Sequence, residues 1–137
     1  MLKEKAAKYY SEDNDLNCAE SMLYAANEAY ALGLDRKGLD TMASFGGGMA
    51  VEGVCGALTG GLAALGVMFT GDKSLDSKTR REIVTAFYEA FEERLGCDHC
   101  KRIKEAFRDD TFGCREVVKH SAEILEKVIQ KYRSGTV

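Results

Sequence analysis

Apolar residues recur at steps of three and four along two stretches in the second half of the chain. The first stretch carries its apolar stripe at Ile83, Val84, Phe87, Phe91 and Leu95. Asp76 or Ser77 is the predicted cap of this helix, and Gly96 is its predicted end. The second stretch follows a break at Gly113, ends near Gly135, and is apolar at Val117, Val118, Ile124, Leu125, Val128, Ile129 and Tyr132. Both stretches predict amphipathic helices with one face in a core.

The segment Val54 to Phe69 is apolar on every side, which predicts a helix buried at the centre of the fold. Its small residues are Gly56, Ala57, Gly60, Gly61, Ala63 and Ala64. Such residues let neighbouring backbones approach closely. They would alternatively clear space for a ligand or cluster beside Cys55, and this interpretation makes Gly56 and Gly60 predicted cofactor contacts.

Three further helices are predicted from caps and glycines. Asn17 with Glu20 three positions later is typical of a capping box, and the helix it opens runs to about residue 32, before Gly33. A short helix fits Asp35 to Phe45, and a short basic helix lies within Cys97 to Asp110. No alternating stretch is long enough to predict a sheet.

We therefore predict an all-α fold, a single helical domain over residues 1–137. It is a compact bundle of about five to six helices around the central glycine/alanine-rich buried helix. The length suits one core, because a chain of this size buries roughly two-thirds of its unfolded surface. Hydrophobic residues at 45% and charged residues at 30% are ordinary for a globular protein and exclude a disordered class.

The formal net charge of -3 gives no basic surplus for a phosphate-binding face, so we expect no nucleic-acid partner. We also expect no membrane span, because Glu52 and several glycines interrupt the most apolar stretch. The first 15 residues show no apolar signal region and no small-residue cleavage site. A cytoplasmic location is the resulting expectation.

Four of the five cysteines fall at predicted helix starts, namely Cys18, Cys55, Cys100 and Cys114. A helix N-terminus presents unpaired N–H groups and about half a unit of positive charge, which predicts thiols with a lowered pKa. Thiolates are both the reactive form and the metal-binding form. These four helix-start cysteines are thus the predicted catalytic residues, although a single free cysteine is more often a small buried hydrophobe.

The fifth cysteine, Cys97, forms a CxxC with Cys100 around His99. A thioredoxin-like CxxC needs a βαβ context and a zinc ribbon needs a second CxxC, and the sequence shows neither. Cys114 follows this CxxC at a zinc-finger-like distance, and either Cys18 or Cys55 would complete a tetrahedral site of four thiolates. The candidate metal ligands are therefore the four helix-start cysteines, with Cys97 and His99 as further candidates. His99 is otherwise a surface residue, and His120, inside the last helix, is predicted to be structural.

The residues from Cys55 to Gly60 read CGAxxG, with cysteines on both sides. This pattern resembles the C_GCAxxG_C_C family of small bacterial and archaeal proteins, whose name writes the central Gly before the Cys. By motif, the four family cysteines fall in order on Cys18, Cys55, Cys100 and Cys114. Cys97 stands outside the pattern. The resemblance runs from about residue 17 to 132 and implies a compact helical fold and redox activity.

The prediction is a redox-active cysteine protein, a thiol oxidoreductase or an electron-transfer protein, with its chemistry at the four helix-start cysteines. The alternative is a metal-binding module that holds an iron–sulfur cluster or zinc through the same residues. A further alternative is a helical interaction domain with structural cysteines. The expected partner is a redox partner protein or a small-molecule electron acceptor. The sequence leaves the oligomeric state open, a homodimer included.

Overall fold

A computed structural model describes residues 1–134 of the chain. Its α-helices are α1 (Leu2–Tyr9), α2 (Cys18–Tyr30), α3 (Arg36–Asp40), α4 (Gly56–Thr70), α5 (Ser77–Leu95), α6 (Cys100–Phe107) and α7 (Arg115–Ser134). A 3₁₀ turn covers Glu12–Asn14, and a second turn covers Gly48–Glu52. Within residues 1–134 there are two isolated β-bridges and no strand. The prediction of an all-α bundle is confirmed.

Helix α4 is the central helix, as the sequence predicts. It packs against α2, α5 and α7, while α1 closes the bundle over α2 and α7. Two adjacent glycines of α4 allow close approaches to these neighbours. A Cβ at Gly60 would stand 2.4 Å from the carbonyl oxygen of Ala19 in α2, and a Cβ at Gly61 would stand 2.5 Å from the ring of Phe87 in α5. The backbone of α4 can lie this close to α2 and to the Phe87 ring only because positions 60 and 61 carry no side chain.

The core consists mainly of leucine and alanine, with isoleucine, phenylalanine and valine, from these packed faces. Its largest fully buried side chains include Phe87, Phe91, Leu2, Met22, Leu23, Leu58, Leu65 and Ile83. One residue of the predicted stripe on α5 departs from it, because Val84 is 41% exposed. None of the helices in residues 1–134 combines the length and the apolar character needed to cross a bilayer.

Caps set most helix ends where the sequence places them. Asp76 accepts a hydrogen bond from the backbone N–H of Thr79 at 2.8 Å and opens α5, and Gly96 ends it with a φ of 88°. The end of α2 differs slightly, because Ala31 takes the left-handed conformation with a φ of 51° two residues before Gly33. The predicted end at Gly135 lies outside the described residues.

Two local predictions are corrected. Helix α3 ends at Asp40 rather than Phe45, because residues 41–44 form turns and only Leu39 of this helix is buried. Helix α1 is not predicted at all. Its buried residues are only Leu2 and Ala6, which is too short an apolar pattern to indicate a helix.

Candidate functional site

Four of the five cysteines line a single cleft of about 830 Å³, which we call the cysteine cleft. They are Cys18, Cys55, Cys100 and Cys114. The other walls come from the segment between α1 and α2, from α6, and from the start of α7. The fold therefore brings these residues to one solvent-accessible space, although up to 96 positions separate them in the sequence.

Each of these cysteines stands at a helix start. Cys18 and Cys100 are the first residues of α2 and α6, and Cys55 is the N-cap residue of α4. Cys114 directly precedes α7, and its carbonyl oxygen accepts from the N–H of Val118 at 3.0 Å. The cleft is thus formed where four helices begin.

A short antiparallel contact aligns Cys55 with Cys100. Val54 forms a β-bridge with His99. The N–H of Cys55 donates to the carbonyl of Asp98 at 2.8 Å, and the N–H of Cys100 donates to the carbonyl of Gly53 at 2.6 Å. Successive side chains of paired extended segments point to opposite faces. The side chains of Cys55 and Cys100 therefore share the face opposite Val54 and His99.

Gly56 explains how Cys18 reaches the start of α4. A Cβ at Gly56 would stand 2.4 Å from the Cys18 sulfur and 3.0 Å from the carbonyl oxygen of Phe45. The Cys18 thiol therefore occupies the space that a side chain at position 56 would fill, one residue from Cys55. Neither Gly56 nor Gly60 is among the residues that line the cleft, and their role as cofactor contacts stays a prediction.

A turn of left-handed residues packs against Cys100. Consecutive residues Gly47, Gly48, Met49 and Ala50 have φ values of 61°, 62°, 61° and 63°. A Cβ at Gly48 would stand 2.4 Å from the nitrogen of Gly53 and 2.8 Å from the Cβ of Cys100. Left-handed conformations at Met49 and Ala50 cost about 1–2 kcal/mol each, so the turn is held by its surroundings.

Asn17 fixes the start of α2 next to Cys18. Its side chain accepts from the N–H of Glu20 at 2.8 Å, and the Glu20 side chain accepts from the N–H of Asn17 at 3.0 Å. This completes the predicted capping box. The Asn17 amide also donates to the carbonyl of Ala43 at 3.0 Å, which ties the start of α2 to the segment after α3.

We expect Asn17→Ala to lower the free energy of unfolding by about 1–2 kcal/mol, because it removes the cap and the link to Ala43. The matched control is Asp76→Ala, which removes the cap of α5 away from the cleft. Denaturant unfolding should show a loss of about 1 kcal/mol there. Only Asn17→Ala should also speed alkylation of Cys18. Equal Cys18 reactivity in both variants would contradict this role of Asn17.

The profile of one protein family, described as "Putative redox-active protein (C_GCAxxG_C_C)", matches residues 16–128. The chain belongs to this family. The resemblance noted in the sequence is confirmed, and the match includes all four cysteines of the cleft. Neither a curated protein nor a solved structure matches the chain.

The family motif thus has a local explanation in this chain. Cys55 caps α4, Gly56 makes room for the Cys18 sulfur, and Gly60 lets α4 contact the backbone of α2 at Ala19. Ala57 is fully buried. The CGAxxG pattern therefore describes a helix start that packs directly on another helix start.

The thiols of this C_GCAxxG_C_C protein are harder to ionise than the sequence predicts. Burial raises the pKa of Cys18, Cys100 and Cys114, and raises that of Cys55 to about 12. The prediction of lowered pKa values at helix starts is therefore wrong. The N–H groups at the start of α4 do favour the Cys55 thiolate, but loss of hydration outweighs them.

Three nearby groups favour the thiolate of Cys114. Its pKa is raised by burial, but Arg108, the Tyr10 hydroxyl and Lys104 each favour its thiolate, and Asp109 opposes it. Tyr10 also lies outside the residues that the family profile matches. No sequence signal indicates it, because its contact with position 114 spans 104 residues.

The remaining candidates lie elsewhere. Cys97 is not among the residues that line the cleft, and its sulfur faces the carbonyl of His99 at 3.9 Å. His99 is exposed at the start of α6. His120 lies 3.1 Å from the Arg94 guanidinium and packs edge-on against Phe107, as a structural residue would.

Metal ligation receives no support from the geometry of the described part of the chain. Among residues 1–134, no three side chains of His, Cys, Asp or Glu are grouped so that they could hold a metal ion. The assignment of the four helix-start cysteines, with Cys97 and His99, as metal ligands stays a prediction.

Proposed function

We propose that this protein carries out thiol–disulfide redox chemistry in the cysteine cleft. The observation that supports it most strongly is that four of the five cysteines line one cleft. Four thiols at one solvent-accessible site can supply two electrons for each disulfide they form. Membership of a family described as redox-active agrees with this chemistry.

In the proposed reaction, two cleft thiols give up two protons and two electrons and form one S–S bond. A disulfide of the partner accepts them and becomes two thiols. The reverse reaction restores the cleft. Cys18 and Cys55 are one candidate pair, because the Cys18 sulfur lies against Gly56 and its charge raises the pKa of Cys55.

The electrostatics support a slow, partner-dependent reaction. Raised thiol pKa values keep the cysteines protonated near neutral pH, and the thiolate is the reactive form. Oxidants that do not bind in the cleft therefore react slowly with these thiols. The cleft volume of about 830 Å³ is in the range of small-molecule sites, so a small disulfide or a partner side chain would fit.

Thiol counting with metal analysis on anaerobically purified protein tests the proposal. The expected protein is colourless and metal-free, with five thiols after reduction and unfolding. Incubation with a small disulfide such as hydroxyethyl disulfide should remove two or four of these thiols. The product should be a monomer whose mass shows no attached hydroxyethyl thiol, because the new disulfides lie within one chain. A reductant should then restore all five.

Cys97→Ser is the matched control, because Cys97 does not line the cleft. This variant should lose the same number of thiols as the natural chain. A brown protein with stoichiometric iron, or bound zinc, would instead favour the metal alternative. Unchanged thiol counts under all oxidants would favour an interaction domain with structural cysteines.

A further inference from the structure

Tyr10 is hydrogen-bonded to Cys114, one of the four cysteines that line the cleft. Tyr10 follows α1, and its hydroxyl oxygen accepts from the backbone N–H of Cys114 at 3.1 Å. Gly113 makes room for it, since a Cβ there would stand 3.1 Å from the same oxygen. Because the oxygen accepts this bond, the single hydroxyl hydrogen stays available to donate, and the Tyr10 hydroxyl favours the thiolate of the same cysteine.

Resting on the thiol–disulfide chemistry proposed above, we propose that Cys114 is the attacking thiol and that Tyr10 is its positioning residue. By donating its hydrogen to the sulfur, the Tyr10 hydroxyl favours the Cys114 thiolate and offsets part of the effect of burial. Both residues line the cysteine cleft, so a partner disulfide can reach the sulfur while this contact is in place.

The charges around Cys114 support the same assignment. Lys104 and Arg108, at the end of α6, favour its thiolate, and Asp109 of the next loop opposes it. The carboxylate of Asp109 is already an acceptor for the N–H of Thr111 at 2.8 Å, which reduces its effect on the sulfur. Besides Lys104 and Arg108, the charged residues that line the cleft are Glu12, Asp13 and Asp15 after α1, Asp110 in the loop, and Arg115 of α7.

The other three cysteines are less suited to attack. The pKa of Cys55 is about 12, and its side chain is 4% exposed. Cys18 packs against Gly56, and Cys100 is buried against the left-handed turn beside Gly48. Cys114 is partly buried, as Cys18 is, but among the four it is the one with a hydroxyl and two cations that favour its thiolate.

In the proposed step, Cys114 loses its proton to water, and the resulting thiolate attacks one sulfur of the partner disulfide. The S–S bond of the partner breaks, a mixed disulfide to Cys114 forms, and the departing thiolate takes a proton from water. A second cleft thiol, after losing its proton, then attacks the Cys114 sulfur. It releases the remaining partner thiol and leaves a protein disulfide, so that one disulfide and two thiols exchange without another reactant.

The test is the rate of carboxamidomethylation of each cysteine by iodoacetamide, measured by peptide mass spectrometry. In the natural chain, Cys114 should be modified before the other three cysteines of the cleft. Tyr10→Phe should slow its modification near neutral pH by about tenfold and shift its pH profile upward by about one unit. A merely structural role of the hydroxyl would not move that profile.

Tyr9→Phe is the matched control. It removes a hydroxyl from the preceding residue, where the group donates to Glu28 at 3.1 Å on an exposed surface. Its Cys114 rate should stay within about twofold of the natural chain. The proposal is overturned if Tyr10→Phe leaves the Cys114 profile unchanged, if both variants slow it equally, or if another cleft cysteine reacts first. The thiol-counting experiment separately tests the disulfide cycle, so the two failures are distinguishable.

Discussion

Replacing Gly60 with alanine is expected to lower the free energy of unfolding by about 3 kcal/mol or more. The new Cβ would stand 2.4 Å from the carbonyl oxygen of Ala19, and its neighbours within 3.0 Å are the backbone carbon atoms of the same residue. Backbone cannot yield as a flexible side chain can. Helix α2 must therefore shift away from α4, and denaturant unfolding under reducing conditions should measure the loss.

Gly66→Ala is the matched control for this change. Gly66 lies exposed in the same helix, and a Cβ at this position would meet no atom within 4 Å. Alanine is favoured over glycine in a helix interior by about 1 kcal/mol, so this variant should be slightly more stable than the natural chain. Equal effects of the two substitutions would show that helix propensity, and not contact with Ala19, determines the outcome at Gly60.

The alkylation rate of Cys55 is expected to rise about tenfold per pH unit, without a plateau, from about pH 7 to about pH 10. The reason is its pKa of about 12, which burial produces. The rise across this range is about a thousandfold. Iodoacetamide labelling of the folded chain, followed by peptide mass spectrometry, measures the rate at this one residue.

The unfolded chain is the control for Cys55. In concentrated denaturant its thiol should titrate near the free value of about 8.5, so the rate should level off above about pH 9. A plateau at the same pH in the folded chain would contradict the effect of burial. The sign for stability follows from the raised pKa. Stability from Cys55 is complete below the unfolded pKa and falls as pH rises toward 12.

The sequence predicts most of the architecture, because caps and apolar periods are local signals. Asn17, Asp76 and Gly96 bound their helices as expected, and the glycine-rich segment is the central helix. Helix α1 has only two buried residues, Leu2 and Ala6, so its apolar pattern is too weak to detect. Helix α1 is held by its packing on α2 and α7, and such long-range contacts leave no local pattern in the sequence.

The cleft is predicted less completely. Helix starts identify Cys18, Cys55, Cys100 and Cys114, because glycines and caps mark those positions. The pKa values of these thiols cannot be predicted from helix starts, since they depend on burial, and burial depends on contacts between distant segments.

Tyr10 illustrates the same limit for a single residue. Its contact with position 114 depends on how α1 lies beside the start of α7, and the intervening chain contains most of the protein. A tyrosine in a short polar segment carries no mark of such a contact. Only the folded arrangement identifies it.

The adjacent glycines of α4 have a consequence for the precision of the cleft. Neighbouring residues on an α-helix point about 100° apart. Gly60 contacts α2 and Gly61 contacts α5. Together the two contacts fix both the rotation of α4 about its axis and its position along that axis. Cys55, five residues before Gly60 at the N-cap of the same helix, is positioned by that single orientation. Two absent methyl groups therefore determine where a sulfur atom points, and a residue inserted between them would turn the thiol away from the other three.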